Sequence, residues 1–480
     1  MHMSHALIDS RTGYRVPFDT SLARSRQTHR LQARAARVVS QQSASEVVVV
    51  GAGAAGLTAA YFAASQGAQV TVLEKNREAG KKVLISGGTR CNVLPTHTDL
   101  NKDYFTESKL GALRAVFASW SLDDCRHWLE SPEHIGIPLT IEEADSKYFP
   151  ISNSAKEVRD KLVRACLRKG VKFRYDANLK YIQQQEASQL WCGLLDGGLV
   201  QANALVLATG GLSYPHLGTD GRGHQVLTKL GHSLHPMYPA LTPLKGSHPG
   251  QQQLAGLSLY SVDAAAVDLS RTKGKGKASK AARAGMLFTH RGFSGPAVLD
   301  LSHHAVMALD RSKPKPAVRV SWTGQSTEYW QGVLQGSQGG AAGVGAVLHR
   351  HGLPKRLADA LCHEAGVTAT PLAQLKKMPY PKGDRQKLLQ LLTGYELAVT
   401  GHEGYAKAEV TGGGVPLSEV DCSSMQSKKV ANLFLCGEVC DVFGRIGGFN
   451  FYWAWLSGRL AGLSAAAGCL SSKNCMHDDA

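Results

Sequence analysis

Two widely separated carboxylates, Glu74 and Glu438, each follow a short apolar run, and each stands near clustered glycines. A carboxylate that ends a buried strand beside a glycine turn can accept hydrogen bonds from the hydroxyls of a ribose or a ribityl chain. Ahead of Glu74 the glycines are Gly51, Gly53 and Gly56, in the order Gly51, Ala52, Gly53, Ala54, Ala55, Gly56, which satisfies G-x-G-x-x-G. Gly51 allows the tight turn, Gly53 lets the backbone approach a pyrophosphate, and Gly56 lets the next helix lie close to its strand. Ala54 and Ala55 open that helix, where free N–H groups face an anion. Glu74, with Lys75 beside it, then takes the adenosine half, and its charge argues against a cofactor carrying a 2′-phosphate.

Around Glu438 the chemistry changes from adenosine to flavin. Gly437 closes an apolar run, Glu438 follows, and Gly447, Gly448, Phe449 and Asn450 open a helix a few residues later. The carboxylate can hold ribityl hydroxyls, and N–H groups at the helix start can face the flavin pyrimidine oxygen. Reduced flavin is anionic around N1 and O2, so this arrangement favours the reduced form. A plain strand-turn-helix connection has the same spacing. A third loop, Ser86, Gly87, Gly88, Thr89, Arg90, Cys91 and Asn92, brings backbone near a ring system and adds Arg90 and Asn92 as donors. Cys91 lacks a C-x-x-C partner and reads as a lining thiol rather than a redox one. Thr209, Gly210 and Gly211 end another buried run. His224, His290 and His402 are candidate proton donors, but no catalytic residue is singled out.

Elements must carry these residues. An apolar strand at 47–50, a helix at 57–66 ended by Gly67, and a strand at 70–73 form one βαβ unit. A helix is expected at 109–130, and another at 155–169, capped by Ser152, Asn153 and Ser154 and ended by Gly170. Strands at 171–175, 189–195 and 199–208 form a three-strand excursion where a crossover helix would otherwise stand, with Asp196 and Gly197 as a hairpin turn. A strand at 432–437 and a helix at 451–467 complete the pattern. The expected fold is α/β: a Rossmann-like dinucleotide-binding domain at 46–212, which the closing strand and helix rejoin, with an inserted β-rich substrate domain at 213–404. A small helical subdomain occupies about 346–398, 335–345 is low-complexity loop, and 471–480 is a tail.

The 480 residues allow two or three domains, and no run of about 18 apolar residues predicts a membrane span. Ten cysteines fall into no paired spacing, which predicts no metal site and a reducing compartment. The net charge is +16. Part of it lies in residues 1–45, where seven Arg face two Asp with no Lys. That Ser-rich leader reads as a transit peptide for a chloroplast or mitochondrion; a disordered basic tail on a cytoplasmic protein is the alternative. A second basic cluster, Arg271, Lys273, Lys275, Lys277, Lys280 and Arg283, is Gly-interrupted and has no interleaved aromatics, so no nucleic-acid partner is expected.

Four blocks in order, EKNREAGKKVLISGGTRCN (74–92), LATGGLSYPHLGTDGRGHQVLTKLGH (207–232), LFTHRGFSGPAVLDLS (287–302) and the stretch from EVTGGGV to SGRLAG (409–462), resemble the YhiN/BaiN-like FAD-dependent oxidoreductases. The resemblance covers about 46–470. It implies a Rossmann-like FAD-binding domain split between 46–212 and 405–470 with an inserted β-barrel-like domain, and FAD held by the residues above, with Lys82 added to the flavin approach and Gly210 and Gly211 beside the pyrophosphate. Thr89 stands where such proteins usually carry Gly, and Arg445 lies in a stretch that is usually more acidic. The expected function is hydride transfer through flavin N5, reducing an activated C=C of a small organic substrate, with NAD(P)H as a transient donor. A flavoprotein acting on tRNA or other RNA, a flavin monooxygenase and a non-catalytic FAD scaffold are the alternatives.

Overall fold

Val47, Val48, Val49 and Val50 are all buried, so β1 (Ser45–Val50) lacks the alternation of a half-exposed strand and belongs in a covered parallel sheet. The computed structural model describes residues 45–142, 146–185, 189–268, 279–280, 283–310, 316–335, 342–368, 370–377 and 383–477. The leader up to residue 44, most of the 271–280 basic cluster, positions 336–341 of the low-complexity stretch and the last three residues lie outside them.

After β1 come α1 (Ala54–Ser65), β2 (Val70–Leu73), α2 (Ala155–Arg168) and β3 (Lys172–Arg174). Then follow β4 (Leu179–Gln185), β5 (Gln189–Leu194), β6 (Leu199–Leu207) and β7 (His235–Ala240). After α3 (Pro296–Asp310), β8 (Val410–Gly414) and β9 (Leu433–Leu435), α4 (Phe449–His477) ends the described chain. The main sheet runs β9, β6, β1, β2, β3, all parallel, with β4 and β5 as an antiparallel extension of β6.

Three local expectations change. The helix expected at 109–130 is two, Leu110–Phe117 and Leu122–Glu130, because Ser121 caps a new start by accepting from Asp124 N at 3.0 Å. The run at 171–175 supplies β3 of the parallel sheet rather than the first strand of the excursion. That place is taken by β4, whose sequence LKYIQQQ hides a strand behind glutamines. The final helix is also longer than 451–467.

The N-terminal and C-terminal segments meet through α1 and α4. Side chains at Gly458 and Gly462 would come within 2.5 Å of Ala55 O and 2.3 Å of Ala59 O, so the two helices touch backbone to backbone. One hydrophobic core joins residues of 47–227 with those of 415–469. A second lies within 238–410 and includes Phe443. It holds an antiparallel sheet centred on Ser258–Asp268, which pairs with Ala284–Thr289 and Pro316–Ser321, and short helices between Thr327 and Thr393. The chain crosses between the cores beside the antiparallel pair β7 and β8. At the same boundary Ile446 N donates to Asp300 Oδ1 of α3 at 2.7 Å.

Candidate functional site

The carboxyl ends of β1, β2, β6 and β9 open into one cavity of about 320 Å³. Val50, Leu73, Ala208 and Cys436 mark those strand ends on its wall. In a parallel sheet this is where glycine turns leave N–H groups free for a ligand. Of the residues singled out in the sequence, Gly51, Gly53, Ala54, Ala55, Glu74, Lys75, Lys82, Ser86, Gly87, Gly88, Asn92, Thr209, Gly210, Gly437, Glu438, Gly447, Gly448 and Asn450 line it. Residues far apart in the chain therefore face one space.

At one end Glu74 is buried and braces the glycine turn: Ala52 N donates to Oε2 at 2.8 Å, and Asn76 N and Nδ2 donate to Oε1 at 2.8 Å. One lone pair on Oε2 is left for a hydroxyl. Lys75 is paired with Asp220 at 2.7 Å. In the middle, Lys82 Nζ lies 2.6 Å from Glu438 Oε2, while Glu438 Oε1 accepts from Thr411 N at 2.9 Å. At the far end Gly444 N donates to Asn450 Oδ1 and Asn450 Nδ2 donates to Gly444 O, both at 2.8 Å, which shapes the turn carrying Gly447 and Gly448.

Five singled-out residues do not line the cavity. Gly56 lies behind it, where a Cβ would come 1.9 Å from Gly51 O. Gly211 makes room for Glu438, whose Oε1 would lie 2.6 Å from an added Cβ. Arg90 turns away to Glu142 at 2.5 Å and Asn153 at 2.8 Å and lies over the Phe149 ring. Cys91 is fully buried, and burial pushes its thiol up to about 12, which leaves it unreactive. Phe449 is buried beneath the guanidinium of Arg445, which Asp103 holds at 2.6 Å. Arg445 is thus tied back rather than offered to a substrate. The three histidines are also elsewhere: His224 is buried against Val439 O, His290 is exposed, and His402 accepts from Gly404 N.

Asn76, Lys81, Tyr214, Leu241 and Glu409 also lie on the cavity wall, and no motif in the sequence marked them. Tyr214 follows the Gly210, Gly211 turn closely and Glu409 precedes the glycines at 412–414, so proximity to those turns was the available signal.

The wall fits a long, anionic, hydroxyl-rich ligand. Cβ atoms added at Gly53 or Gly88 would meet no protein atom within 4 Å, so both glycines border open space. Thr209 Oγ1 and Arg222 Nε are buried without a hydrogen-bond partner, and Lys81 has no ion pair among the described residues. Unpaired donors of this kind suit phosphate oxygens.

Residues 45–464 match the family described as "HI0933-like protein Rossmann domain". The chain belongs to that family. It is an FAD-dependent oxidoreductase with a Rossmann-like α/β fold. As a member of the HI0933-like family it is similar to the ribosomal RNA dihydrouridine synthase of Escherichia coli, at 30% identity over 86% of this chain and 96% of that protein. The Haemophilus influenzae protein of the same name is 28% identical, over 88% and 98%. The 3-dehydro-bile acid delta(4,6)-reductase of Clostridium scindens is 27% identical, over 87% and 98%. Among the described residues no helix is long and apolar enough to cross a membrane, and no group of three or more His, Cys, Asp or Glu could hold a metal ion.

Proposed function

We propose that this oxidoreductase saturates a C=C bond conjugated to a carbonyl, with reducing equivalents from NADH or NADPH. The observation that carries the reading is the single cavity bordered by both the 51–55 turn and the 447–450 turn, which suits one extended FAD. In this reading the N–H groups at 53–55 meet the pyrophosphate, Arg222 and Lys81 offset its charge, and Glu74 takes a ribose hydroxyl. Glu438, steadied by Lys82, takes the ribityl hydroxyls. Ser86, Gly87, Gly88, Asn92, Gly447 and Gly448 border the ring. Bound FAD supplies hydride transfer at N5. The core at 238–410, with its sheet and short helices, serves as a barrel-like lid with a helical subdomain over the substrate.

Two kinds of relative support the chemistry. Dihydrouridine differs from uridine by a saturated C=C next to a carbonyl, and a 3-dehydro delta(4,6) substrate presents C=C bonds conjugated to a ketone. Both acceptors are electrophilic at a carbon conjugated with the carbonyl, where hydride can add. The primary reading here is a small enone. The second reading is a uracil ring within RNA, favoured by the two relatives named for ribosomal RNA and by the net charge of +16. The leader fits an organellar import sequence, which a fluorescent fusion of residues 1–45 checks.

Anaerobic mixing with NADH and then NADPH tests the reading. The flavin band should bleach with one donor and return on adding an enone or uridine-containing RNA, with a saturated product found by mass spectrometry. Bleaching followed by return only with oxygen and a hydroxylated product would overturn it in favour of a monooxygenase.

A further inference from the structure

Among the ionisable groups on the cavity wall, Glu74, Lys75, Lys82, Asp220 and Glu438 all have hydrogen-bond or ion-pair partners. Tyr214 and Glu409 do not: neither the phenol nor the carboxyl makes a hydrogen bond among the described residues. Glu409 stands where the chain crosses between the two cores, and Tyr214 is tied by its backbone to the segment just before it. Tyr214 N donates to Tyr405 O at 2.9 Å, and Glu409 N donates to Leu241 O at 3.1 Å.

The backbone at Tyr214 is held in a conformation that only glycine adopts freely, with φ 57° and ψ 62°. Thr219 Oγ1 and Leu217 N donate to Tyr214 O and fix it there. Strain kept at a cavity wall points to a side chain that must face a given way. Burial raises the Glu409 carboxyl above its ordinary range against the pull of Lys82, so it retains its proton more readily. Burial, and then the charge of Glu409, push the Tyr214 phenol up to about 12. Both shifts favour the protonated form.

We propose that Tyr214 is the acid that protonates the α-carbon of the substrate, and that Glu409, on the same cavity wall, returns its proton. The assignment rests on the C=C reduction proposed above. Hydride adds to the β-carbon, and the π pair of the double bond moves onto the α-carbon and carbonyl oxygen. The Tyr214 O–H bond breaks as the new α C–H bond forms. The phenolate then takes the Glu409 proton, the resulting carboxylate is steadied by Lys82, and solvent restores the proton. The two electrons come from FAD reduced by the nicotinamide-class donor.

The test compares two acceptors with anaerobically reduced, FAD-loaded wild type, Tyr214→Phe and Glu409→Gln. An enone needs a proton on carbon; ferricyanide takes electrons and needs none. In Tyr214→Phe the enone-to-ferricyanide rate ratio should fall by about 10²–10⁴. Its FAD affinity, measured separately by titrating the FAD-free protein, should stay near that of wild type. In Glu409→Gln the enone rate should lose the alkaline limb of its pH profile. An unchanged rate ratio in Tyr214→Phe, with wild type reducing the enone, overturns the acid assignment alone. A wild type that reduces ferricyanide but no C=C acceptor overturns the assignment together with the reading beneath it. Equal loss with both acceptors, accompanied by loss of FAD, shows a structural role and also overturns it.

Discussion

Two polar clusters in this molecule invite a catalytic reading, and they differ in one respect. His232, Glu419 and Ser427 form a relay like that of a serine hydrolase: His232 Nδ1 lies 2.7 Å from Glu419 Oε2, and Nε2 lies 2.8 Å from Ser427 Oγ. Yet Ser427 is buried, and its hydroxyl accepts from Lys429 N and Val430 N, both at 3.0 Å. Glu419 also receives Ser233 and Lys429. Every partner there is internal, so the cluster pins the 231–233 turn to the 419–430 hairpin and has no free nucleophile. The cavity wall is the reverse case, with Tyr214, Glu409, Lys81 and Arg222 Nε left unmatched beside open space. Unspent hydrogen-bonding capacity, more than triad-like geometry, separates a site from a brace.

The sharpest way to break the contrast is Gly53→Asp. A Cβ there meets no protein atom within 4 Å, so the fold should survive, but the carboxylate places charge and bulk against the phosphate position. FAD affinity should fall by at least about 10³-fold, some 4 kcal/mol, read by absorbance after purification. Glu438→Ala removes the hydroxyl acceptor and leaves Lys82 without its partner. A loss of about 10- to 100-fold in FAD affinity is expected, by fluorescence titration. His232→Ala should act oppositely: FAD content stays normal, while stability falls by about 2 kcal/mol in urea unfolding, because Glu419 and Ser427 lose a buried partner.

Acid sharpens the same comparison with a smaller effect. Burial raises the Glu419 carboxyl, but hydrogen bonds from Ser233, Lys429 and His232 outweigh it and hold the group at about 2, below its ordinary 4.5. Its contribution is therefore present above 4.5 and lost as pH falls toward 2. Burial lowers the His232 pKa from 6.5 despite Glu419, so the unfolded chain binds that proton first and stability also declines as pH drops below 6.5. Melting temperature should fall along both limbs, and Glu419→Gln should flatten the lower one.

The βαβ unit was legible because four valines, a fixed glycine spacing and Glu74 are local signals. Gly53, Glu438 and Gly448 were legible for the same reason, and the structure brings them to one wall. Arg90 was not: its type suits a phosphate, but Glu142, Asn153 and Phe149 claim it, and those contacts are non-local. Tyr214 and Glu409 escaped because their meaning depends on lacking partners, which only a folded chain reveals. Strand β4 was hidden by glutamines that a short antiparallel extension tolerates.

The central claim is that the N-terminal and C-terminal segments hold one FAD between them. A crystal structure of the protein purified with its yellow cofactor tests this most directly. A single FAD is expected, with its pyrophosphate at the N–H groups of 53–55, a ribityl hydroxyl on Glu438 and its ring beside Gly448. FAD bound elsewhere, or touching only one of the two segments, would contradict it.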